Sequence, residues 1–197
     1  EFGGPEKIVE AKGEILDGLD AQGIAVLNQD DPAWPVWKQR SAGKRVLSFA
    51  LQASQADFRP AGIGQDARGC PNFTLVGPNG SVPVQLNLLG YHNIANALAA
   101  AAAASALGVA LEHIAAGLQQ LQPVKGRGVA QMLSNGVRLI DDSYNANPAS
   151  IRAATDVLAG FSGRTLLVLG DMGELGEWAE QSHVDVGCYA AGKVDAL

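Results

Sequence analysis

Residues 137–148 read VRLIDDSYNANP, an apolar run that leads directly into a polar loop and a proline. The run predicts a strand over 137–141, and the residues after Pro148 predict a helix over about 149–158. Ligands of open α/β sheets bind beyond the carboxyl ends of strands. The loop 141–147 carries two carboxylates, a hydroxyl, a phenol and two amides. It therefore predicts a ligand site; the alternative, an Asx turn and a helix cap, explains Asn147 and Ser143 only.

The same alternation continues along the chain. A strand is expected over 165–169, a helix over about 179–191 and the start of another strand at 194–197. Before the loop, a hairpin is expected in which Asn135-Gly136 joins a strand over 129–133 to the strand over 137–141. The pattern predicts a parallel, Rossmann-like sheet. Because the sequence stops at 197, we expect that sheet to be incomplete.

The first 121 residues give a second α/β pattern. It comprises predicted helices over 5–19, 32–40 and 111–121, a loop that runs into a helix within 90–107, and strands over 23–28 and 45–49. Short alternating runs over 57–89, with Asn79-Gly80 between two of them, predict a small antiparallel insertion. The fold class is therefore α/β: a parallel-sheet domain with an antiparallel β insertion, followed by part of a Rossmann-like carboxy-terminal domain.

The segment 122–128 (QPVKGRG) interrupts the helical periodicity with a proline and two glycines. Such composition is typical of a domain boundary. We expect one domain over 1–124 and a second over 125–197.

Composition excludes several classes of protein. The net charge is −6, and the acidic excess is shared evenly on the two sides of residue 122, so neither half offers a basic surface for nucleic acid. The longest apolar run, 97–104, is too short to span a bilayer. Cys70 and Cys188 suggest neither a disulfide framework nor a zinc site. Without a recognisable leader, a cytoplasmic location is expected, and the sequence leaves the oligomeric state open.

Three further segments could carry chemistry. The segment 90–96 (GYHNIAN) places His92, Asn93 and Asn96 at a predicted helix start, where polar groups can face a ligand, although Asn93 alone could cap the helix. Arg127 on the glycine-flanked hinge could neutralise phosphate charge, or it could be a solvent-facing linker residue. The loop 170–176 (GDMGELG) lacks the dinucleotide fingerprint and predicts a tight strand-to-helix turn. His113 and His183 are expected to pack or to face solvent.

Together, five fragments resemble the Mur ligases of peptidoglycan synthesis. They are AKGEI at 11–15, GxHNIxNALAA at 90–100, KGR at 125–127, DDSYNANP at 141–148 and GDMxELG at 170–176. The last two are the specific ones. The resemblance implies an ATP-dependent amide-forming ligase in which ATP phosphorylates a peptide carboxylate and an amine then attacks the acyl phosphate. It also implies UDP-N-acetylmuramoyl-peptide and D-Ala-D-Ala as substrates; the third residue of the acceptor peptide stays open.

The resemblance also implies roles for individual residues. His92 and Asn93 would contact adenine, with Asn96 supporting the same loop. Asp142 would bind the ribose of ATP and Arg127 its phosphates, so that ATP contacts both domains of the complete enzyme. The remaining polar residues of the loop would bind substrate or phosphate: Tyr144, Asn145 and Asn147.

Lys12 matches a lysine that is carbamylated in relatives and helps to hold a second Mg²⁺. An ammonium group would repel the metal, whereas a carbamate supplies oxygen ligands. Lys12 and Arg127 are therefore the expected catalytic residues, and ATP and Mg²⁺ the expected cofactors. In these 197 residues alone, without the rest of the ligase, we expect Lys12 to be unmodified and exposed.

Several family features are absent from this sequence. It contains neither the G-x-x-G-K-[ST] phosphate loop nor the amino-terminal UDP-binding domain, and no metal-binding histidine precedes the EFG at 1–3. We therefore expect a piece of the ligase that is inactive alone. Two alternatives stay open: a folylpolyglutamate synthase-like ligase and a non-catalytic α/β binding module.

Overall fold

The computed structural model describes residues 4–197, and these divide into two compact units. Among the described residues, the first consists of residues 4–64, 71–86 and 91–120, and the second of residues 65–70, 87–90 and 121–197. The expected boundary at 124/125 stays a prediction, since the second unit also takes in two short loops from earlier in the chain.

The first unit is built on a parallel pair of strands. Helix α1 (Pro5–Asp17) ends at Gly18, and strand β1 (Ile24–Asn28) follows. Helix α2 (Trp34–Arg40) connects β1 to strand β2 (Arg45–Phe49), which pairs with β1 in parallel. This confirms the predicted βαβ unit.

The antiparallel insertion is also confirmed. Strands β3 (Arg59–Gln65), β4 (Pro71–Gly77) and β5 (Gly80–Gln85) form a sheet in that order. Gly77 pairs with Gly80 across a two-residue turn, as the Asn-Gly signal predicts.

Two helices complete the first unit and its core. Helix α3 (His92–Ala106) packs against β1 and β2, and helix α4 (Leu111–Gln120) packs against β5. The alanines of α3 allow close approach to the sheet. The largest fully buried side chains of this core come from the insertion and α3: Phe58, Leu75, Leu86, Ile94 and Leu98.

The second unit begins with a hairpin of strands β6 (Val129–Met132) and β7 (Arg138–Asp141). Helices α5 (Pro148–Ala159) and α6 (Ala179–Ala190) follow and pack on each other. Their small core contains Ile151, Met172 and Val186.

The predicted strand over 165–169 is wrong. Only one parallel bridge forms there, between Leu166 and Ala196, and residues 194–197 form no strand either. Leu166 is 62% exposed and Val168 82%, so no layer of the described residues covers this run. Without a covering layer or a full-length neighbour, the apolar run does not pair as a ladder. The parallel direction of the bridge nevertheless agrees with the predicted sheet type.

Candidate functional site

The loop after β7 is organised around Asp141. Its Oδ1 accepts hydrogen bonds from the backbone N–H of Ser143 (3.2 Å) and from Ser143 Oγ (2.6 Å). These bonds favour the carboxylate form, so they lower the pKa of Asp141, with help from the charge of Lys125 and the backbone N–H of Gly126. Asp141 thus shapes the loop, and the exposed Asp142 lies beside it in sequence.

The hinge segment and this loop lie side by side within the second unit. The backbone N–H of Tyr144 donates to the carbonyl of Gly126 (3.0 Å). The guanidinium carbon of Arg127 lies 4.1 Å from the centre of the Tyr144 ring. The structure therefore brings together two of the segments that the sequence singled out separately. Arg127 itself is exposed, so its phosphate role stays a prediction and the solvent-facing alternative stays open.

Asn147 has a structural task as well as its predicted binding role. Its Oδ1 accepts from the backbone N–H of Ser150 (2.9 Å), and Ser150 Oγ accepts from the backbone N–H of Asn147 (3.0 Å). This reciprocal capping box begins α5, with Pro148 in its first turn. The Asx-turn and cap alternative therefore describes Ser143 and Asn147 correctly. Asn145 Oδ1 also accepts a local bond, from the backbone N–H of Ala146 (2.9 Å), so this alternative leaves Asp142 without a structural task.

The first turn of α3 carries a chain of polar side chains. Asn93 Nδ2 lies 3.1 Å from His92 Nε2, and Asn96 Nδ2 donates to Asn93 Oδ1 (3.0 Å). The helix begins at His92, so Asn93 lies inside it, and the preceding residue, Tyr91, makes no side-chain cap bond. The boundary of α3 thus does not place Asn93 at the cap position. Because all three side chains lie on one turn, they present a single polar edge.

Lys12 lies on α1 and is exposed, as expected. The neighbouring ion pair joins Lys7 to Glu10 (2.9 Å), and Lys12 makes no ion pair with any described residue. Its amine is therefore accessible, and the surrounding residues of the described chain leave it unpaired.

The loop 170–176 is bonded to α6 through the His183 ring, a contact that the sequence did not predict. His183 on α6 donates from Nδ1 to the carbonyl of Ala179 (2.7 Å), which leaves Nε2 to accept the backbone N–H of Met172 (3.1 Å). Asp171 Oδ1 also lies 2.9 Å from Nε2, a contact that is attractive only when the ring is protonated. We favour the bond to Met172, because Met172 is buried while the Asp171 side chain is 92% exposed and can turn away.

The same loop carries a strained backbone. Glu174 has φ of +62°, the only positive φ of a non-glycine residue among residues 4–197. No local sequence signal marks this residue, because glutamate is not a residue that favours the left-handed region. His183 packs, as the sequence allowed, but its ring also ties the loop to α6, which the sequence did not predict.

Arg127 and Asp142 both present their charged groups to solvent. Arg127 offers a guanidinium for phosphate, and Asp142 offers an exposed carboxylate for hydroxyl groups. No group of three or more His, Cys, Asp or Glu side chains that could hold a metal occurs among the described residues.

Comparison with known proteins identifies the family of the chain. The Mur ligase middle domain matches residues 1–104, and the Mur ligase glutamate ligase domain matches residues 127–197. The chain belongs to the Mur ligase family, which confirms the resemblance of its motifs. No helix within residues 4–197 has the length and apolar character needed to cross a membrane.

Among curated relatives, the UDP-N-acetylmuramoyl-tripeptide–D-alanyl-D-alanine ligase of Escherichia coli is 45% identical over 186 residues, which cover 94% of this chain and 41% of the relative. The Bacillus subtilis ligase of the same name is 34% identical and covers 100% of this chain and 42% of its own length. The chain thus spans about two fifths of the length of these relatives.

Solved structures give the same result. A crystal structure of MurF from Acinetobacter baumannii matches 100% of this chain and 47% of its own with a TM-score of 0.90 at 36% identity. A MurF ligase from Thermotoga maritima, solved in complex with ADP, matches 95% of this chain and 42% of its own with a TM-score of 0.82 at 26% identity. The α/β class is therefore confirmed.

Proposed function

We propose that this chain is part of a cytoplasmic, ATP-dependent ligase that forms an amide bond between D-Ala-D-Ala and UDP-N-acetylmuramoyl-tripeptide. Its relatives of 34–45% identity carry that activity in their names. One structural observation supports the proposal most: the contact between residues 125–127 and 141–144. It presents a guanidinium without an acidic partner and the exposed carboxylate of Asp142 on one joined pair of loops.

Each loop residue has a task in this proposal. Arg127 binds phosphate oxygens and stabilises the negative charge that develops during phosphoryl transfer. Asp142 accepts hydrogen bonds from ribose hydroxyls. Tyr144 and Asn145 lie on the substrate side. Because the cap occupies Asn147 Oδ1, Asn147 contributes to binding through its Nδ2 donors.

The polar edge of α3 binds adenine in the same proposal. The amides of Asn93 and Asn96 and the His92 ring offer both donors and acceptors, which base edges require. Bound ATP supplies the phosphoryl group that activates the peptide carboxylate. The chain's own contribution is to orient that nucleotide and to screen its charge.

Lys12 becomes a metal ligand only in modified form. Reaction with CO₂ needs the neutral amine and converts it into a carbamate with oxygen ligands suited to Mg²⁺. We propose this modification for the complete ligase, where further groups complete the coordination, and not for the chain on its own.

The experiment is a ligation assay on the complete protein that contains this chain. It measures ADP release and the transfer of labelled D-Ala-D-Ala with UDP-N-acetylmuramoyl-tripeptide, with folate and glutamate, and with neither. We expect ADP release and labelled product with the first substrate set only. Product with folate would support the folylpolyglutamate synthase-like alternative, and nucleotide binding without turnover would support the binding-module alternative.

A further inference from the structure

Arg127 and Tyr144 form a stacked pair whose purpose the proposed function leaves open. The guanidinium carbon lies 4.1 Å from the ring centre, well within the range of a cation–π interaction. We propose that Tyr144 is a positioning residue: its ring holds the Arg127 guanidinium flat, so that the N–H groups at the guanidinium edge face an anion of the phosphate class. The identity of that anion as a nucleotide phosphate rests on the proposed function.

The backbone places these two side chains next to each other. The carbonyl of Gly126 accepts the Tyr144 N–H (3.0 Å). Gly126 has φ of +74°, and a Cβ there would lie 3.2 Å from both the backbone nitrogen and the Cβ of Tyr144. A side chain at 126 would therefore strain the backbone, and glycine is favoured there; the residue that follows lies beside the Tyr144 ring.

Arg127 keeps its charge available. Arg40 and Arg68 are neutralised by Asp17 and Asp66, whereas Arg127 has no ion-pair partner among the described residues. The five N–H donors of a guanidinium lie in its plane. A ring that covers one face of the guanidinium leaves those in-plane donors free. An acidic partner would instead occupy them, because a carboxylate accepts hydrogen bonds in the plane of the group.

The ring acts here, and the hydroxyl does not. The Tyr144 side chain is 68% exposed, and its hydroxyl makes no hydrogen bond to any residue in the part of the chain that the structure describes. Phenylalanine should therefore replace tyrosine at this position in holding Arg127, whereas leucine, which has no π face, should not.

The first measurement uses NMR on the 197-residue chain. Protons above an aromatic ring experience its ring current, so the Arg127 Hδ resonances should be shifted upfield in the wild-type chain and in Tyr144→Phe. In Tyr144→Leu they should return to the positions of an unstacked arginine. An unshifted Arg127 in the wild-type chain would overturn the proposal.

The second measurement titrates inorganic tripolyphosphate into the same proteins and follows the Arg127 Nε–Hε resonance. An exposed cation–π interaction of about 0.5–1 kcal/mol corresponds to an affinity loss of about two- to fivefold for Tyr144→Leu. Tyr144→Phe should retain the wild-type affinity. Arg127→Ala lacks that resonance, so this variant is followed at the Gly126 backbone amide, where the response to tripolyphosphate should be lost. Adding Tyr144→Leu to Arg127→Ala should cause no further loss.

A matched control removes another arginine–aromatic contact. Arg138 lies over Phe161 at 4.5 Å in the same unit. Phe161→Leu should leave the tripolyphosphate affinity of Arg127 unchanged, and the melting temperatures of both leucine variants report any loss of folding. An equal loss in Phe161→Leu would reduce the effect to general destabilisation and would overturn the proposal.

The remaining outcomes separate this proposal from the proposed function. If tripolyphosphate does not bind at Arg127, or if Tyr144→Leu binds as well as the wild type, the positioning role is wrong. If Tyr144→Phe loses affinity as Tyr144→Leu does, the hydroxyl acts and the proposal is wrong. If binding depends on the ring while the complete protein fails the ligation assay, the positioning role is supported and the proposed function fails.

Discussion

The backbone N–H of Met172 donates to Nε2 of His183, 3.1 Å away, and this bond fastens the loop 170–176 to helix α6. The ring reaches Met172 because its Nδ1 donates to the carbonyl of Ala179 one turn earlier in the same helix. The buried Met172 side chain adds a second attachment through the core. The loop is therefore held in place at its third residue.

Replacement of His183 by alanine should loosen this loop. The Met172 amide would lose its acceptor, and we expect its hydrogen exchange to become faster in His183→Ala than in the wild-type chain. Amide exchange followed by NMR measures this directly. His113→Ala, at an exposed position of α4, is the matched control. Unchanged protection of Met172 in His183→Ala would show that the bond does not hold the loop.

A second prediction concerns Ser143 and acid. The Ser143 hydroxyl is the main cause of the lowered pKa of Asp141, so Ser143→Ala should raise that pKa toward the ordinary aspartate value. Carboxyl-carbon NMR titration measures the change. Ser162→Ala, in an exposed turn of the same unit, should leave the pKa of Asp141 unchanged. A pKa of Asp141 that Ser143→Ala does not move would contradict the hydrogen-bond geometry.

The lowered pKa also has a stability consequence of definite sign. Asp141 binds its proton less tightly in the folded chain than in the unfolded chain. The contribution of Asp141 to the free energy of unfolding is therefore complete above the unfolded-state pKa of about 3.9. That contribution is lost as the pH falls through the lower folded-state pKa. In Ser143→Ala the folded-state and unfolded-state pKa values of Asp141 should lie closer together. Acid unfolding followed by circular dichroism should therefore show a smaller change of stability with pH in this range.

A third prediction separates the two tasks of Asn147. Asn147→Ala removes the cap and should reduce the free energy of unfolding by about 1 kcal/mol. Asn147→Asp keeps the accepting oxygen but removes the amide donors. We therefore expect Asn147→Asp to keep the stability of α5 in urea unfolding and to raise the KM for substrate in the complete ligase. A wild-type KM in Asn147→Asp would limit Asn147 to capping.

A fourth prediction concerns Lys12. In the complete ligase, Lys12→Ala should abolish turnover, and added short-chain carboxylic acids should restore part of it by occupying the position of the carbamate. Lys7→Ala, which removes only an exposed ion pair on the same helix, should retain activity. Normal activity of Lys12→Ala at low bicarbonate would refute the assignment.

The sequence predicted the elements whose signals are local. The βαβ unit follows from apolar runs bounded by turn residues, and the hairpin at 77–80 follows from Asn79-Gly80. The polar loop 141–147 was also visible, because nothing but a site or a cap explains so many polar side chains after a strand. Its contact with Arg127 was not visible, since the stack joins residues 17 positions apart through a glycine conformation.

The strand that did not form and the His183 contact that the sequence did not predict have a common physical cause. Residues 165–169 have the composition of a strand, but a strand also needs neighbours to accept its hydrogen bonds, and only residues 194–196 provide one. His183 has the spacing of an ordinary helical residue, and its bond to Met172 depends on how the loop returns to α6. Both features depend on tertiary arrangement, which periodicity does not encode.

The most direct test of the account is the KM for ATP of the complete ligase with Asp142→Ala. If Asp142 binds the ribose, the loss of its charge-assisted hydrogen bonds should raise that KM by an amount equivalent to roughly 1–3 kcal/mol. Asp142→Asn should show a smaller increase, and Asp185→Ala, on α6, should show none. A wild-type KM for ATP in Asp142→Ala would remove Asp142 from the nucleotide site and contradict the proposed role of the loop.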